Sequence, residues 1–216
     1  GGFAHIFFNM FALWMFGSTL ENFWGAKKFL IYFIITGIGA ALLHYTVHYF
    51  EIQPTINALN DYLINPSADN FKYMFVSGTL DFSSIEAKQS FQEMLNAYQS
   101  QLLSGDTQKA LQTSVDFVLE YKQAFLNAPV VVGASGSVFG LLLAFGMLFP
   151  NSMIYMYFFF PIKAKWFVII YGAMELFFGM SSYSGDNVAH FAHLGGMLFG
   201  FILIMYWNKK IKKKFF

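Results

Sequence analysis

Five runs of this 216-residue chain are almost wholly apolar: Phe3–Leu20, Phe29–Phe50, Pro129–Phe149, Ala164–Met180 and Val188–Trp207. A helix needs about 20 apolar residues to cross roughly 30 Å of hydrocarbon, so these runs predict membrane-spanning helices. Between the second and third runs the pattern changes. Phe91, Leu95, Tyr98 and Leu102 recur at helical spacing, and Ser104-Gly105 interrupts them. Leu111, Val115, Val118 and Phe125 then resume the period, with Asp106 at the N-cap. This predicts a helical hairpin in the second half of a 77-residue insert, Glu51–Asn127. Pro54, Pro66 and scattered aromatics give the first half of the insert no clear period.

The chain thus divides into spans one and two (1–50), the insert (51–127), spans three to five (128–208) and a lysine-rich tail (209–216). The expected fold class is all-α, a polytopic transmembrane helix bundle with an extramembrane helical insert. The first run has neither the basic start nor the cleavage-type end of a signal peptide. The chain opens on Gly-Gly with an apolar run directly behind it, and one further span is expected upstream.

Composition agrees and adds an orientation. Only 12% of residues are charged and 56% are apolar, against about 25% charged in soluble domains. A disordered chain is excluded and an ordinary soluble domain disfavoured. Cysteine is absent, which excludes disulfides and thiolate metal sites. The net charge is +1 and all 13 basic residues are lysine; no nucleic-acid partner is expected. The insert is acidic, with nine acids against four lysines. If the five spans alternate, Lys27, Lys28, Lys163, Lys165 and the tail lysines Lys209, Lys210, Lys212, Lys213 and Lys214 fall on one side. The positive-inside rule makes that side cytoplasmic, with the tail anchored beside anionic lipid. The insert then lies outside, and the expected location is a bacterial plasma membrane, multi-pass, with a cytoplasmic C-terminus.

Polar side chains inside spans are expensive and therefore mark function. At 1.5 Å rise per residue, Asn9, Ser135 and His193 each lie about 8–9 Å in from the outer ends of spans one, three and five, with His5 nearer the surface. A hydroxyl, an imidazole and an amide thus share one depth, away from the lysines. Gly136 with Gly140, and Gly196 with Gly200, form GxxxG pairs that open helices for close contact. On a helical wheel His193 lies near the Gly200 direction and His190 about 80° away, so His193 is the better placed base. Ser135 lies about 100° from Gly136, so the wheel alone does not aim it at His193.

The chemistry these groups fit is acyl transfer. A serine hydroxyl becomes a nucleophile when a base accepts its proton, and neutral imidazole serves near pH 7. His5 and Asn9, at i and i+4, share a face and are candidate donors to an oxyanion, beside the Ser135 backbone N–H. Asp186 lies in a short outer loop and Glu175 near the middle of span four. Neither is placed to orient His193, so the reading is a Ser–His dyad. His44 and His48, also i and i+4, have no third ligand in their span and read as interfacial anchors; no metal site is expected.

These segments resemble the rhomboid intramembrane serine proteases: His5-Ile6-Phe7-Phe8-Asn9, Gly17…Glu21…Gly25, Gly133-Ala134-Ser135-Gly136, and Ala192-His193-Leu194-Gly195-Gly196 with Gly200. They stand in the family's order and lie outside the insert. The resemblance implies Ser135 as nucleophile, His193 as base, His5 and Asn9 as oxyanion donors, and Phe139 as the aromatic against the catalytic histidine. Glu21 matches an acid with a mainly structural role. It further implies single-span membrane-protein substrates with a locally unstable helix and a small residue at the cut, a lipid-bilayer setting and no cofactor. The insert's partner is left open. The alternative is a catalytically silent rhomboid-like pseudoprotease that binds membrane clients. An HExxH metalloprotease motif is absent, and position 137 is Ser where an α/β-hydrolase elbow needs Gly.

Overall fold

The computed structural model describes residues 2–80, 82, 85–128, 133–156, 160–181 and 189–214. Asp186 and the short loop around it lie outside the described residues. The chain forms two compact units, one of Gly1–His48 with Val131–Phe216, the other of Tyr49–Val130.

In the first unit, α1 (Phe3–Ala12), a π-helical turn (Leu13–Gly17) and α2 (Ser18–Trp24) make one apolar run. Gly25, at φ 80°, ends it. That backbone region is open to glycine at little cost, and the turn brings the chain straight into α3 (Ala26–Ile64). The other elements are α7 (Ser135–Leu148), an antiparallel hairpin of β1 (Met153–Met156) and β2 (Phe160–Lys163), α8 (Ala164–Met180) and α9 (His190–Lys214).

Small residues decide how closely these helices approach. A Cβ placed on Gly196 would overlap the carbonyl of Gly136, so α7 and α9 meet backbone to backbone. Gly140 and Gly200 instead face α3: their Cβ positions are occupied by Thr36 and Tyr32. Tyr32 Oη donates to the Gly140 carbonyl at 2.8 Å. Around this contact Leu20, Tyr32, Leu141, Ala144, Ala164 and Ile204 form a buried core.

Among the described residues, three helical stretches, Phe3–Trp24, Ala26–Ile64 and His190–Lys209, are long and apolar enough to cross a membrane. The other two expected spans are shorter. α7 has 14 residues and α8 has 17, so α7 reaches only about 21 Å. α7 begins at Ser135, with Ala134 as its N-cap; Gly133, just before, is a poor helix former. α3 departs in the other direction, continuing past Phe50 and through Pro54 to Ile64. The apolar run marks where a membrane would end, but helical hydrogen bonding needs no apolar side chain beyond that point. The hairpin at 153–163 was not anticipated; it is short, and the fold remains helical.

In the second unit, the end of α3 is joined by α4 (Ala68–Val76), α5 (Ile85–Leu103) and α6 (Thr107–Leu126). Ser67 and Asp106 cap α4 and α6 by accepting from the backbone N–H groups of Asn70 and Lys109. Gly105, at φ 80°, makes the α5–α6 turn. Leu59, Tyr62, Phe71, Phe91, Tyr98 and Val118 belong to a core of the unit's own. Within it Tyr62 Oη and Ser114 Oγ share a hydrogen bond of 2.6 Å.

Candidate active site

Ser135 is the first residue of α7, and His193 lies in the first turn of α9. The Gly136–Gly196 contact draws these two helix ends together. Ser135 Oγ lies 2.9 Å from His193 Nε2, and both residues are buried, at 6% and 5% exposure. Phe139, one turn after Ser135, stacks on the His193 ring with centroids 4.0 Å apart and planes within 7°. Tyr171 backs Phe139 at 6.2 Å. Serine, imidazole and phenyl ring therefore form one block held by α7 and α9.

The other ring nitrogen meets a carboxylate. His193 Nδ1 is 2.9 Å from Oε2 of Glu175 on α8, and His190 Nδ1 is 2.6 Å from the same oxygen. Glu175 carries no expected role in the sequence because it falls near the middle of its apolar run. Counted from Met180, where α8 ends, Glu175 is about 7.5 Å in. That is the depth which singled out Ser135 and His193, so the signal was present in the same arithmetic.

The helix ends change the setting of the reacting groups. Ser135 was expected about 9 Å into a helix, by the rise per residue, and instead opens one. The first turn of a helix presents backbone N–H groups without intrahelical partners, together with the positive end of its dipole. Negative charge developing beside Ser135 meets both.

His5 and Asn9 lie on α1, which contributes no buried residue. His5 is exposed and Asn9 partly so. The Asn9 amide donates one N–H back to the His5 carbonyl at 2.8 Å and carries a second N–H. The structure brings Ser135, His193, Phe139 and Glu175 into direct contact; among the described hydrogen bonds none joins His5 or Asn9 to them.

His44 and His48 stack at 6.3 Å. Among the described residues, Glu175, His190 and His193 could hold a metal ion, each offering a ligand atom within 4.8 Å of the others. A metal on His193 Nδ1 would leave the ring's one proton on Nε2, facing Ser135, and so remove the acceptor that the serine hydroxyl needs. Hydrogen bonding through Nδ1–H leaves Nε2 free to accept.

A family model, the Rhomboid domain, matches residues 1–53 and 84–210. The chain belongs to the rhomboid family. The match resumes at the start of α5 and so takes in the second half of the insert as well as the membrane segments. No curated protein and no solved structure matches the chain. This rhomboid is an integral membrane protein. Its family comprises intramembrane serine proteases and pseudoproteases that act on membrane proteins within the bilayer.

Proposed function

We propose that this rhomboid is an active intramembrane serine endopeptidase that cuts transmembrane segments of single-span membrane proteins. The observation that carries the reading is the 2.9 Å contact between the buried Ser135 hydroxyl and His193 Nε2. His193 takes the hydroxyl proton as Ser135 Oγ attacks the scissile carbonyl. The oxyanion that forms is met by the Ser135 backbone N–H at the start of α7 and by side-chain N–H groups of His5 and Asn9. His193 then protonates the leaving amine, and the same base activates the water that hydrolyses the acyl-enzyme. Phe139 limits the ring's tilt throughout.

The site belongs at the outer side of the membrane. Lys28 Nζ sits over the rings of Trp207, at 4.4 Å, and Trp24, at 5.4 Å. Trp207 is fourteen residues along α9 from His193, about 21 Å. Lysine with indole is the pattern of a membrane interface, and the lysine-rich end is the cytoplasmic one. A bacterial plasma membrane with a cytoplasmic C-terminus fits this arrangement. The acidic 51–127 insert then lies outside, where it tunes substrate access and supplies none of the reacting groups.

The test is cleavage of a model single-span substrate in detergent by wild type and by Ser135→Ala, His193→Ala and His190→Ala. The first two are expected to lose cleavage and the third to keep a measurable rate. Wild-type cleavage that survives Ser135→Ala would refute the assignment.

A further inference from the structure

We infer that Glu175, clamped by His190, is the positioning residue that sets the productive tautomer of His193, extending the dyad into a Ser135–His193–Glu175 chain. The inference rests on the reading of Ser135 as nucleophile and His193 as its base.

A neutral imidazole has one ring proton and two places for it. Only the Nδ1–H form has a bare Nε2 able to accept from Ser135 Oγ. In that form Nδ1–H points at Glu175 Oε2, 2.9 Å away, and donates to it. In the other form Nε2–H faces Ser135, and bare Nδ1 confronts the carboxylate oxygen. Two acceptors then stand at hydrogen-bond distance with no proton between them. The site is buried, so water does not relieve that contact cheaply. The carboxylate therefore favours the tautomer that catalysis needs. Once His193 has taken the serine proton, the same carboxylate faces the imidazolium and lowers the energy of that state.

His190 completes the device. A glutamate side chain has several torsions, and one hydrogen bond leaves its carboxylate free to swing. Here two imidazoles, at i and i+3 on α9, converge on a single oxygen, His190 at 2.6 Å and His193 at 2.9 Å. His190 in turn lies against Phe178, its centroid 5.8 Å away. Phe139 holds one face of the His193 ring, but stacking restricts the ring's plane and not the place of its proton. Glu175 supplies that second constraint.

A purely structural role would make Glu175 a staple between α8 and α9, and the two roles differ in what they change. Glu175→Gln keeps an oxygen acceptor of the same reach and loses the charge; Glu175→Ala loses both. The positioning role predicts that Glu175→Ala lowers kcat by about 10²–10⁴-fold with KM within twofold of wild type. Glu175→Gln keeps the α8–α9 staple yet loses kcat to a similar degree, because its amide N–H can donate to Nδ1 and hold His193 in the Nε2–H tautomer. His190→Ala, which unclamps the carboxylate, lowers kcat by about tenfold. ¹⁵N resonances of His193, labelled in the full chain, report Nδ1–H in wild type and a mixture of tautomers in Glu175→Ala. Turnover is compared at equal folded concentration, so a loss of stability alone does not imitate the effect. If Glu175→Ala fails to fold, Glu175→Gln and the wild-type ¹⁵N spectrum decide. Wild-type kcat in the folded Glu175 variants, or an Nε2–H tautomer in the wild type, overturns the inference while Ser135 chemistry stands. A folded wild type whose Ser135 neither cleaves nor labels overturns the underlying reading instead.

Discussion

Replacing Gly196 with alanine probes the contact that brings the reacting side chains together. A Cβ there would overlap the Gly136 carbonyl, which is backbone and cannot rotate aside. The helices must part by more than about 1.5 Å to restore an ordinary contact distance. Overpacking of this kind costs about 1–3 kcal/mol, and a rigid backbone neighbour puts Gly196 near the top of that range. The same separation acts on the Ser135–His193 hydrogen bond, 2.9 Å long and bridging the same two helices. A misplacement of about 1 Å costs roughly 10²-fold in rate. Gly172→Ala is the control. Its Cβ would meet Met197 Cε at 3.1 Å, the end of a flexible side chain that can move. The assay is the second-order rate of labelling by a fluorophosphonate, with the thermal midpoint in detergent measured alongside. Gly196→Ala is expected to label about 10²-fold more slowly and to melt lower, while Gly172→Ala stays close to wild type. A Gly196→Ala protein with wild-type labelling and midpoint would refute the claim that backbone contact between α7 and α9 sets the site.

Asn9→Ala is expected to reduce kcat by roughly 10–10³-fold with KM nearly unchanged, because an oxyanion donor acts mainly in the transition state; wild-type kcat at equal folded concentration would reduce Asn9 to a packing amide. Replacing Ile52–Leu126 with a short Gly/Ser linker is expected to preserve labelling of Ser135 while changing which substrates are cut, measured over a panel of single-span proteins. A folded variant that never labels would show that the insert shapes the site. Treatment with EDTA is expected to leave turnover unchanged, since hydrogen bonds join Glu175, His190 and His193. Activity lost to chelation and restored by zinc would contradict that.

Much of this arrangement is legible in the sequence, and the exceptions have physical causes. Apolar runs located the membrane helices because hydrocarbon demands them, but they located helix ends poorly. α3 continues to Ile64 as a helix whose later side chains, Leu59 and Tyr62, enter the core of the second unit. α7 starts at Ser135 itself, which places the serine at a helix end. The π turn at Leu13–Gly17 has no compositional mark, since it changes hydrogen-bond register and not residue type. In the insert, Gly105 and Asp106 announced the α5–α6 turn because each has a specific backbone task there. At the site, the GxxxG pairs revealed where helices approach closely, and depth paired Ser135 with His193. The helical wheel did not aim one at the other; that needed the real positions of two helix ends. Glu175 was missed because its depth was judged from the middle of its span and not from the outer end.

Whether Ser135 is a nucleophile activated by His193 is decided by locating its covalent adduct. The full chain in detergent is treated with a fluorophosphonate, digested, and sequenced by mass spectrometry. One phosphonylated hydroxyl is expected, on Ser135, absent in Ser135→Ala and strongly slowed in His193→Ala. An adduct on another residue, or a folded wild-type protein whose Ser135 stays unmodified under conditions that label other serine hydrolases, would contradict it.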